Sequence, residues 1–217
     1  PERPFGEAAG FHITASHSDS PAFKVKPQAE LLAENSYVRL NVEPYGGMIY
    51  ASWMDRCLSV AGKIVFKQGD TLASKTVNID EDLLVIPNLA IHMNHEINKN
   101  LTYDPQTDLQ PLFCGDWEKE GKESCKGILE KKIAASAGIR EEDLLGRDLF
   151  VYVREKGKLA GADKELMISP RLDDLECVYA SLKAFLASKP ERYVTVCAVF
   201  DNEEVGSYTR QGAASTF

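Results

Sequence analysis

The amino-acid sequence predicts an α/β protein in which a mostly parallel sheet with flanking helices is interrupted by a β-rich insertion. A β-prone segment at residues 11–17 opens the chain and ends at a turn. Residues 37–91 contain strand-like segments without helix-length apolar periodicity, whereas strands and helices alternate after Leu149. Alternation of strand and helix is typical of a parallel sheet, so the first and last parts of the chain are expected to form one α/β domain.

The predicted domain boundaries follow these changes of pattern. Residues 1–27 are expected to form the first part of the α/β domain, residues 28–164 the β-rich domain, and residues 165–217 the second part of the α/β domain. The first and last parts must therefore meet in space.

The predicted strands are rich in β-branched and aromatic residues, and some are separated by turn-forming pairs such as Gly46-Gly47 and Gly69-Asp70. The segment at 193–200 is almost continuously apolar, as in a strand buried on both faces. Polar residues 98–124 are expected to form a loop. The predicted strands are residues 11–17, 37–43, 48–54, 58–66, 73–79, 149–153, 166–168 and 193–200.

Two helices are predicted from apolar residues that recur on one face. The first covers residues 126–137 and ends at Gly138, a residue that favours helix termination. The second contains apolar residues at helical spacing from Leu175 to Leu186 and is closed by Pro190.

The composition limits the classes of function. The formal net charge of −8 disfavours nucleic acid as a partner, because phosphate binding needs clustered Lys and Arg. No segment approaches the roughly 20 consecutive apolar residues of a membrane span, so no membrane association is expected. Five cysteines without C-x-x-C spacing indicate reduced thiols in a cytoplasmic protein. The N-terminus lacks the pattern of a signal peptide. It also lacks a starting Met, which predicts a trimmed or partial chain.

Three polar clusters stand where predicted strands meet loops, which is where open α/β sheets bind ligands. In the first cluster His17 can ligate a metal while Asp19 holds the other ring nitrogen. A surface histidine beside a turn-forming Asp is the alternative explanation. The cluster is His17-Ser18-Asp19-Ser20-Pro21.

The second cluster, at residues 169–175, contains the adjacent carboxylates Asp173 and Asp174. Their repulsion would be relieved by a cation. A capping box between Asp173 and Glu176 at the start of a helix explains the same residues without a ligand.

The third cluster, at residues 201–207, follows the most apolar strand and contains Glu203 and Glu204. One glutamate can ligate a metal while its neighbour moves a proton from water to a leaving amine. An acidic helix start is the alternative. The three clusters together offer an oxygen-rich donor set with an imidazole and no cysteine, which suits a pair of divalent ions better than a thiolate zinc site.

The order and composition of these clusters resemble the aspartyl aminopeptidase family of binuclear metallo-aminopeptidases. The matching segments span nearly the whole chain and are residues 13–21, 45–47, 53–56, 58–62, 86–92, 169–175, 201–207 and 211–213. The resemblance implies a metallopeptidase-type fold whose β-rich insertion mediates dimerisation. It also implies removal of the N-terminal residue of peptides, with acidic residues preferred, by a homo-oligomer that is commonly a dodecamer.

The resemblance further implies a role for each matching residue. His17, Asp173 and Glu204 would ligate two divalent metal ions, with zinc expected first and manganese or cobalt as alternatives. Asp173 would bridge the two ions. Glu203 and Asp19 would be the catalytic residues, Glu203 as general base and acid and Asp19 by orienting the imidazole.

The other histidines are expected to act elsewhere. The resemblance implies that His92, in the β-rich insertion, binds substrate in the active site of a neighbouring subunit. An ordinary interface or core histidine is the alternative for His92. His12 and His95 match no ligand of the family and are expected to be structural.

The chain also departs from the family pattern. Asp174 stands where Asn is usual, and Cys57 replaces a common Asp. The family draws a further Asp and a further His ligand from a C-terminal region, so a chain that stops at Phe217 is expected to lack part of the metal site. A truncated or non-catalytic assembly subunit is therefore the alternative function. A deblocking aminopeptidase of the same fold is disfavoured by the segments at 18–21 and 88–92.

Overall fold

The computed structural model describes residues 6, 8–34, 36–99, 102–115, 126–190 and 192–217. Ten strands and two α-helices follow one another in these residues. They are β1 Phe11–His17, β2 Ala22–Ala33, β3 Tyr37–Tyr45, β4 Leu58–Gln68, β5 Thr71–Asn78, β6 Leu112–Gly115, α1 Ile128–Ala137, β7 Leu144–Val153, β8 Lys158–Ala160, β9 Leu166–Ile168, α2 Leu172–Ala187 and β10 Val194–Phe200. Among these described elements, no helix combines the length and the apolarity needed to cross a membrane.

The chain divides into two compact units. One unit, called here the terminal unit, comprises Pro1–Pro21 and Lys156–Phe217, and the other, the β-rich unit, comprises Ala22–Glu155. The division at residues 21 and 22 coincides with the start of β2. The boundaries predicted after residues 27 and 164 lie somewhat further along the chain, and the assignment of catalytic and assembly domains stays a prediction.

The β-rich unit is built on one six-stranded antiparallel sheet. Its strand order is β5-β4-β7-β2-β3-β6. Apolar side chains alternate along the strands, so that one face of each strand is buried. In β3 the buried residues are Val38, Leu40 and Val42. Two fully buried residues of α1, Leu129 and Ile133, belong to the same apolar core as the sheet residues.

The terminal unit contains a parallel pair of strands, an antiparallel pair and one long helix. β1 and β10 run parallel in a register that places His17 beside Phe200. β8 and β9 pair antiparallel. Apolar residues recur on α2 at helical spacing, as the sequence predicted. The α/β class is confirmed, although the parallel sheet amounts to two strands within the described residues.

Several predicted elements differ from the structure. Residues 48–54 were expected to form a strand, but Tyr50–Trp53 form a 3-10 turn. The Ser52 hydroxyl donates to the Ile49 carbonyl at 2.7 Å, a local bond that competes with strand pairing. The expected loop at 98–124 contains the strand β6, which pairs with β3. The rest of that loop includes residues 100–101 and 116–124, which lie outside the described residues.

Residues 149–153 form a strand as predicted. It belongs to β7 of the antiparallel sheet, within the residues 28–164 expected for the β-rich domain, whereas the alternation of strand and helix after Leu149 had indicated a parallel sheet. The helix α2 begins after Arg171 without a side-chain cap, and Asp173 and Asp174 in its first turn have non-helical backbone angles. An N-cap residue also has non-helical angles, so the capping box stays the alternative explanation for Asp173.

Candidate metal centre

The parallel pairing of β1 and β10 brings two of the predicted clusters to one edge of the strand pair. Because parallel strands end on the same side, the residues after His17 and after Phe200 must lie close together. The amide of Ser18 donates to the Phe200 carbonyl at 3.0 Å, which continues the pairing one residue past the end of β1. Glu203 and Glu204 follow in a short 3-10 turn.

The two ring nitrogens of His17 have different partners. Nδ1 contacts a backbone carbonyl, and Nε2 faces carboxylates. Nδ1 lies 3.0 Å from the Asp19 carbonyl oxygen. A carbonyl oxygen can only accept, so Nδ1 carries the proton and the lone pair of a neutral ring lies on Nε2. Nε2 is 3.3 Å from Asp173 Oδ1 and 3.7 Å from Glu203 Oε2.

Asp19 connects the imidazole to the two glutamates. Its carboxylate accepts the backbone N–H of Glu203 at 3.2 Å and that of Glu204 at 3.1 Å. Oδ1 also lies 3.3 Å from His17 Nδ1. With a side chain only 7% exposed, Asp19 has most of its hydrogen-bonding capacity used within the site.

The second cluster joins the first through Asp173 and Asp174. The Asp173 side chain is 88% exposed and reaches toward His17 Nε2, while the Ser20 hydroxyl donates to the Asp173 carbonyl at 3.2 Å. Asp174 Oδ2 accepts the backbone N–H of His17 at 3.1 Å. All three predicted clusters therefore meet around one imidazole.

The electrostatics of the site reflect several carboxylates around one histidine. Burial disfavours the charged imidazole, but the Asp19 carbonyl and the charges of Glu203, Asp19 and Asp174 outweigh it and raise the pKa of His17. Burial first, and then repulsion from Glu203 and Asp19, raises the pKa of Glu204. A cation at this position would relieve both the repulsion and the cost of burying Glu204.

The donor atoms are close enough to share a metal ion. One ligand atom each from His17, Glu203 and Glu204 lies within 4.8 Å of the others. Two ligands of one tetrahedral zinc ion, at about 2.0 Å each, are about 3.3 Å apart. The separation of His17 Nε2 and Asp173 Oδ1 is also 3.3 Å. Imidazole and carboxylate donors are those that zinc accepts, so the residues fit a zinc site.

The remaining histidines lie outside this cluster. His92 belongs to the β-rich unit, where it is exposed in a turn. His95 is exposed in the same unit. The His12 ring stacks on Tyr193 with ring centroids 4.1 Å apart, which is a structural contact. The prediction that His92 acts in a neighbouring subunit stays a prediction.

Three hydrogen bonds of the site were not predicted from the sequence. They are the bond from the His17 amide to Asp174 and the bonds from the glutamate amides to Asp19. The partners are separated by 157 and by 184 or 185 residues, so no local pattern indicates them. For Asp174 the sequence offered one signal, its position next to Asp173. That signal indicates repulsion between two carboxylates but does not identify the His17 amide as a hydrogen-bond partner.

Comparison with known proteins identifies relatives of this chain. The sequence profile described as "Aminopeptidase I zinc metalloprotease (M18)" matches residues 4–217. A curated relative from Clostridium acetobutylicum, named "Probable M18 family aminopeptidase 2", is 44% identical over 210 residues. That match covers 96% of this chain and 48% of the relative, so the chain spans about half the length of that relative.

Solved structures of similar fold are also larger than this chain. The structure titled "Cryo-EM structure of the Ape4 and Nbr1 complex" has a TM-score of 0.90 and 33% identity, covering 97% of this chain and 44% of the matched chain. The structure titled as the mApe1 dodecamer of S. cerevisiae has a TM-score of 0.74 and 27% identity, covering 95% of this chain and 46% of that one.

Proposed function

This chain belongs to the aminopeptidase I zinc metalloprotease family (M18), and from that premise we propose that it supplies part of a metal-dependent aminopeptidase centre. The reaction is hydrolysis of the peptide bond that follows the N-terminal residue of a peptide. The observation that carries the proposal is the meeting of the proposed ligands His17 and Glu204 with the proposed base Glu203, since one donor atom of each lies within 4.8 Å of the others.

In this proposal His17, Asp173 and Glu204 would hold two divalent ions. The contact of Asp173 with His17 Nε2 and the raised pKa of Glu204 support these roles. Zinc is the expected metal, and manganese or cobalt suits the same donors. Bound metal supplies polarisation of the scissile carbonyl and a lowered pKa for an attacking water.

Glu203 is proposed to move the protons. Its side chain is 54% exposed, so a carboxylate oxygen can reach water and substrate, and its backbone is fixed by the bond from its amide to Asp19. As general base it takes a proton from the attacking water, and as general acid it delivers that proton to the leaving amine. Asp19 keeps Nδ1 of His17 in place and leaves Nε2 for the metal.

The proposal extends to assembly, substrate and location. A homo-oligomer formed through the β-rich unit, up to a dodecamer, would bring His92 of one subunit to the substrate of another. The structure titled as a dodecamer supports homo-oligomerisation. Acidic N-terminal residues are the proposed preference, as the family resemblance implies. The reduced cysteines predicted from the sequence suit the proposed cytoplasmic location.

The test is a Glu203→Gln variant of the intact enzyme that carries this chain. Gln keeps the size of the side chain but cannot take up a proton, so kcat should fall by roughly 10²-fold or more. Zinc content should be unchanged. Glu176→Gln, on the exposed surface of α2, is the matched control and should retain full activity. Normal hydrolysis by the Glu203 variant would show that another group is the base.

A non-catalytic assembly module is the second candidate function. It is favoured by one observation, namely that the β-rich unit exposes large apolar side chains close together in sequence, among them Leu89, Ile91 and Met93. Metal analysis of the purified protein separates the two candidates. An assembly module should hold well under one ion per chain, whereas the metal centre proposed here should hold at least one.

A further inference from the structure

The backbone amide of His17 needs a hydrogen-bond partner that β10 does not supply. Successive N–H groups of a strand point to opposite sides, and the amide of Ser18 is the one that donates to Phe200 of β10. The amide of His17 therefore points away from β10. Its partner is Asp174 Oδ2, at 3.1 Å.

This bond connects the two segments that face each other across the candidate site. His17 is the last residue of β1, and Asp174 lies in the non-helical first turn of α2. Asp173, next to Asp174, approaches His17 Nε2 to 3.3 Å. The Asp174 carboxylate thus fixes the backbone of one donor residue against the backbone of another.

Asp174 also has a neighbour in its own helix. A hydrogen bond from the Cys177 thiol lowers the pKa of the Asp174 carboxyl. The Oδ2 atom of that carboxylate accepts the His17 amide.

We propose that Asp174 is a positioning residue, which sets the distance between His17 and Asp173 by accepting the His17 amide. The inference rests on the proposed metal-binding role of His17. It assigns Asp174 no contact with metal or substrate. What matters for this role is a hydrogen-bond acceptor at the position, and the negative charge is dispensable.

Three variants distinguish the effect of the hydrogen-bond acceptor at Asp174 from the effect of its negative charge. Asp174→Ala removes both, Asp174→Asn keeps an acceptor without the charge, and Glu176→Ala removes a charge from the same helix away from the bond. The zinc affinity of the protein that carries this chain is measured by competition with a chromophoric chelator. Loss of a group that orients a ligand typically weakens metal binding about 10- to 100-fold. Asp174→Ala should show that loss, and the other two variants should stay within about threefold of the parent.

A metal-free measurement keeps the inference testable if the parent chain does not bind zinc. Amide hydrogen exchange at His17, followed by NMR, reports the bond directly. Exchange should be at least about tenfold faster in Asp174→Ala and unchanged in Asp174→Asn and Glu176→Ala. The circular dichroism spectrum of each variant shows whether it is folded.

The outcomes distinguish this inference from the proposed function. If the parent binds no zinc but the exchange pattern is as expected, the metal role of His17 fails while the positioning contact stands. If the parent binds zinc and Asp174→Ala binds it equally well, the positioning role is wrong. If Asp174→Asn loses affinity as strongly as Asp174→Ala, the charge matters and the inference is overturned.

Discussion

The two units of the chain differ in apolar burial and in the presence of the candidate metal centre. The large buried apolar side chains belong to the β-rich unit, and among the described residues of the terminal unit only Ser16, Ala198 and Gly212 are buried. Yet the candidate metal centre lies in the terminal unit. Its residues are held by hydrogen bonds between segments distant in sequence, whereas the β-rich unit is held by side-chain packing.

This difference indicates which changes each unit tolerates. Burial of apolar area stabilises a fold without regard to direction, so a packed sheet depends on the volume of its side chains. Hydrogen bonds and metal ligation depend on the position of individual atoms. The β-rich unit should therefore respond to truncation in its core, and the terminal unit to loss of single acceptors at the site.

The largest expected effect on stability is a core truncation in the β-rich unit. Leu58 is fully buried at the start of β4, so Leu58→Ala should lower the free energy of unfolding by about 2–5 kcal/mol. The matched change in α2 is Leu182→Ala, at a side chain 44% exposed, which should cost about 1 kcal/mol or less. Urea unfolding measures both. Equal losses would mean that burial does not separate the units.

An intermediate effect is expected from a buried polar group of the β-rich unit. Gln110 Oε1 accepts the Val42 amide at 2.7 Å, and Nε2 donates to the Val42 and Pro105 carbonyls. Gln110→Leu leaves these backbone groups unsatisfied and should cost about 1–3 kcal/mol in urea unfolding. Gln106→Leu, on the exposed loop nearby, is the control and should be nearly neutral. A neutral Gln110 variant would show that the backbone groups find other partners.

The smallest expected effect is a pH dependence confined to the β-rich unit. Burial, together with repulsion from Glu130, raises the pKa of Glu30 above 4.5 despite the bond from the Leu129 amide. Because the folded state then binds the proton more tightly, this contribution to stability is full below pH 4.5 and is lost as the pH rises through the folded pKa.

Glu30→Gln keeps the acceptor for the Leu129 amide and removes the titration. Relative to this variant, the parent should become less stable as the pH is raised from about 4 to about 7. Urea unfolding across that range measures the difference. A difference that does not change with pH would show that the Glu30 carboxyl has the same pKa in the folded and unfolded states.

The sequence predicted those elements whose apolar pattern was clear. Residues 11–17 form β1 as predicted, and the apolar spacing between Leu175 and Leu186 falls within α2. The strand β2 was not predicted. It contains Pro27 and an irregular register between Val25 and Glu30, so its apolar alternation is broken.

Part of the candidate metal centre could likewise be predicted from the sequence, and part of it could not. The proximity of His17, Asp173 and Glu203 could be predicted, because each stands near the end of a strand or the start of a helix, and the structure places their side chains near one another. The bond from the His17 amide to Asp174 could not, because it depends on which side of β1 faces α2. That side is fixed by tertiary packing between segments far apart in the chain, and no local propensity encodes it.

X-ray absorption spectroscopy of the zinc-loaded chain tests the metal centre most directly. The chain has four histidines, and the account predicts imidazole scattering around zinc that disappears in His17→Ala. The same signal should persist in His12→Ala, His92→Ala and His95→Ala. Imidazole scattering retained in His17→Ala, or lost in one of the other three variants, would contradict the assignment of the metal centre to the end of β1.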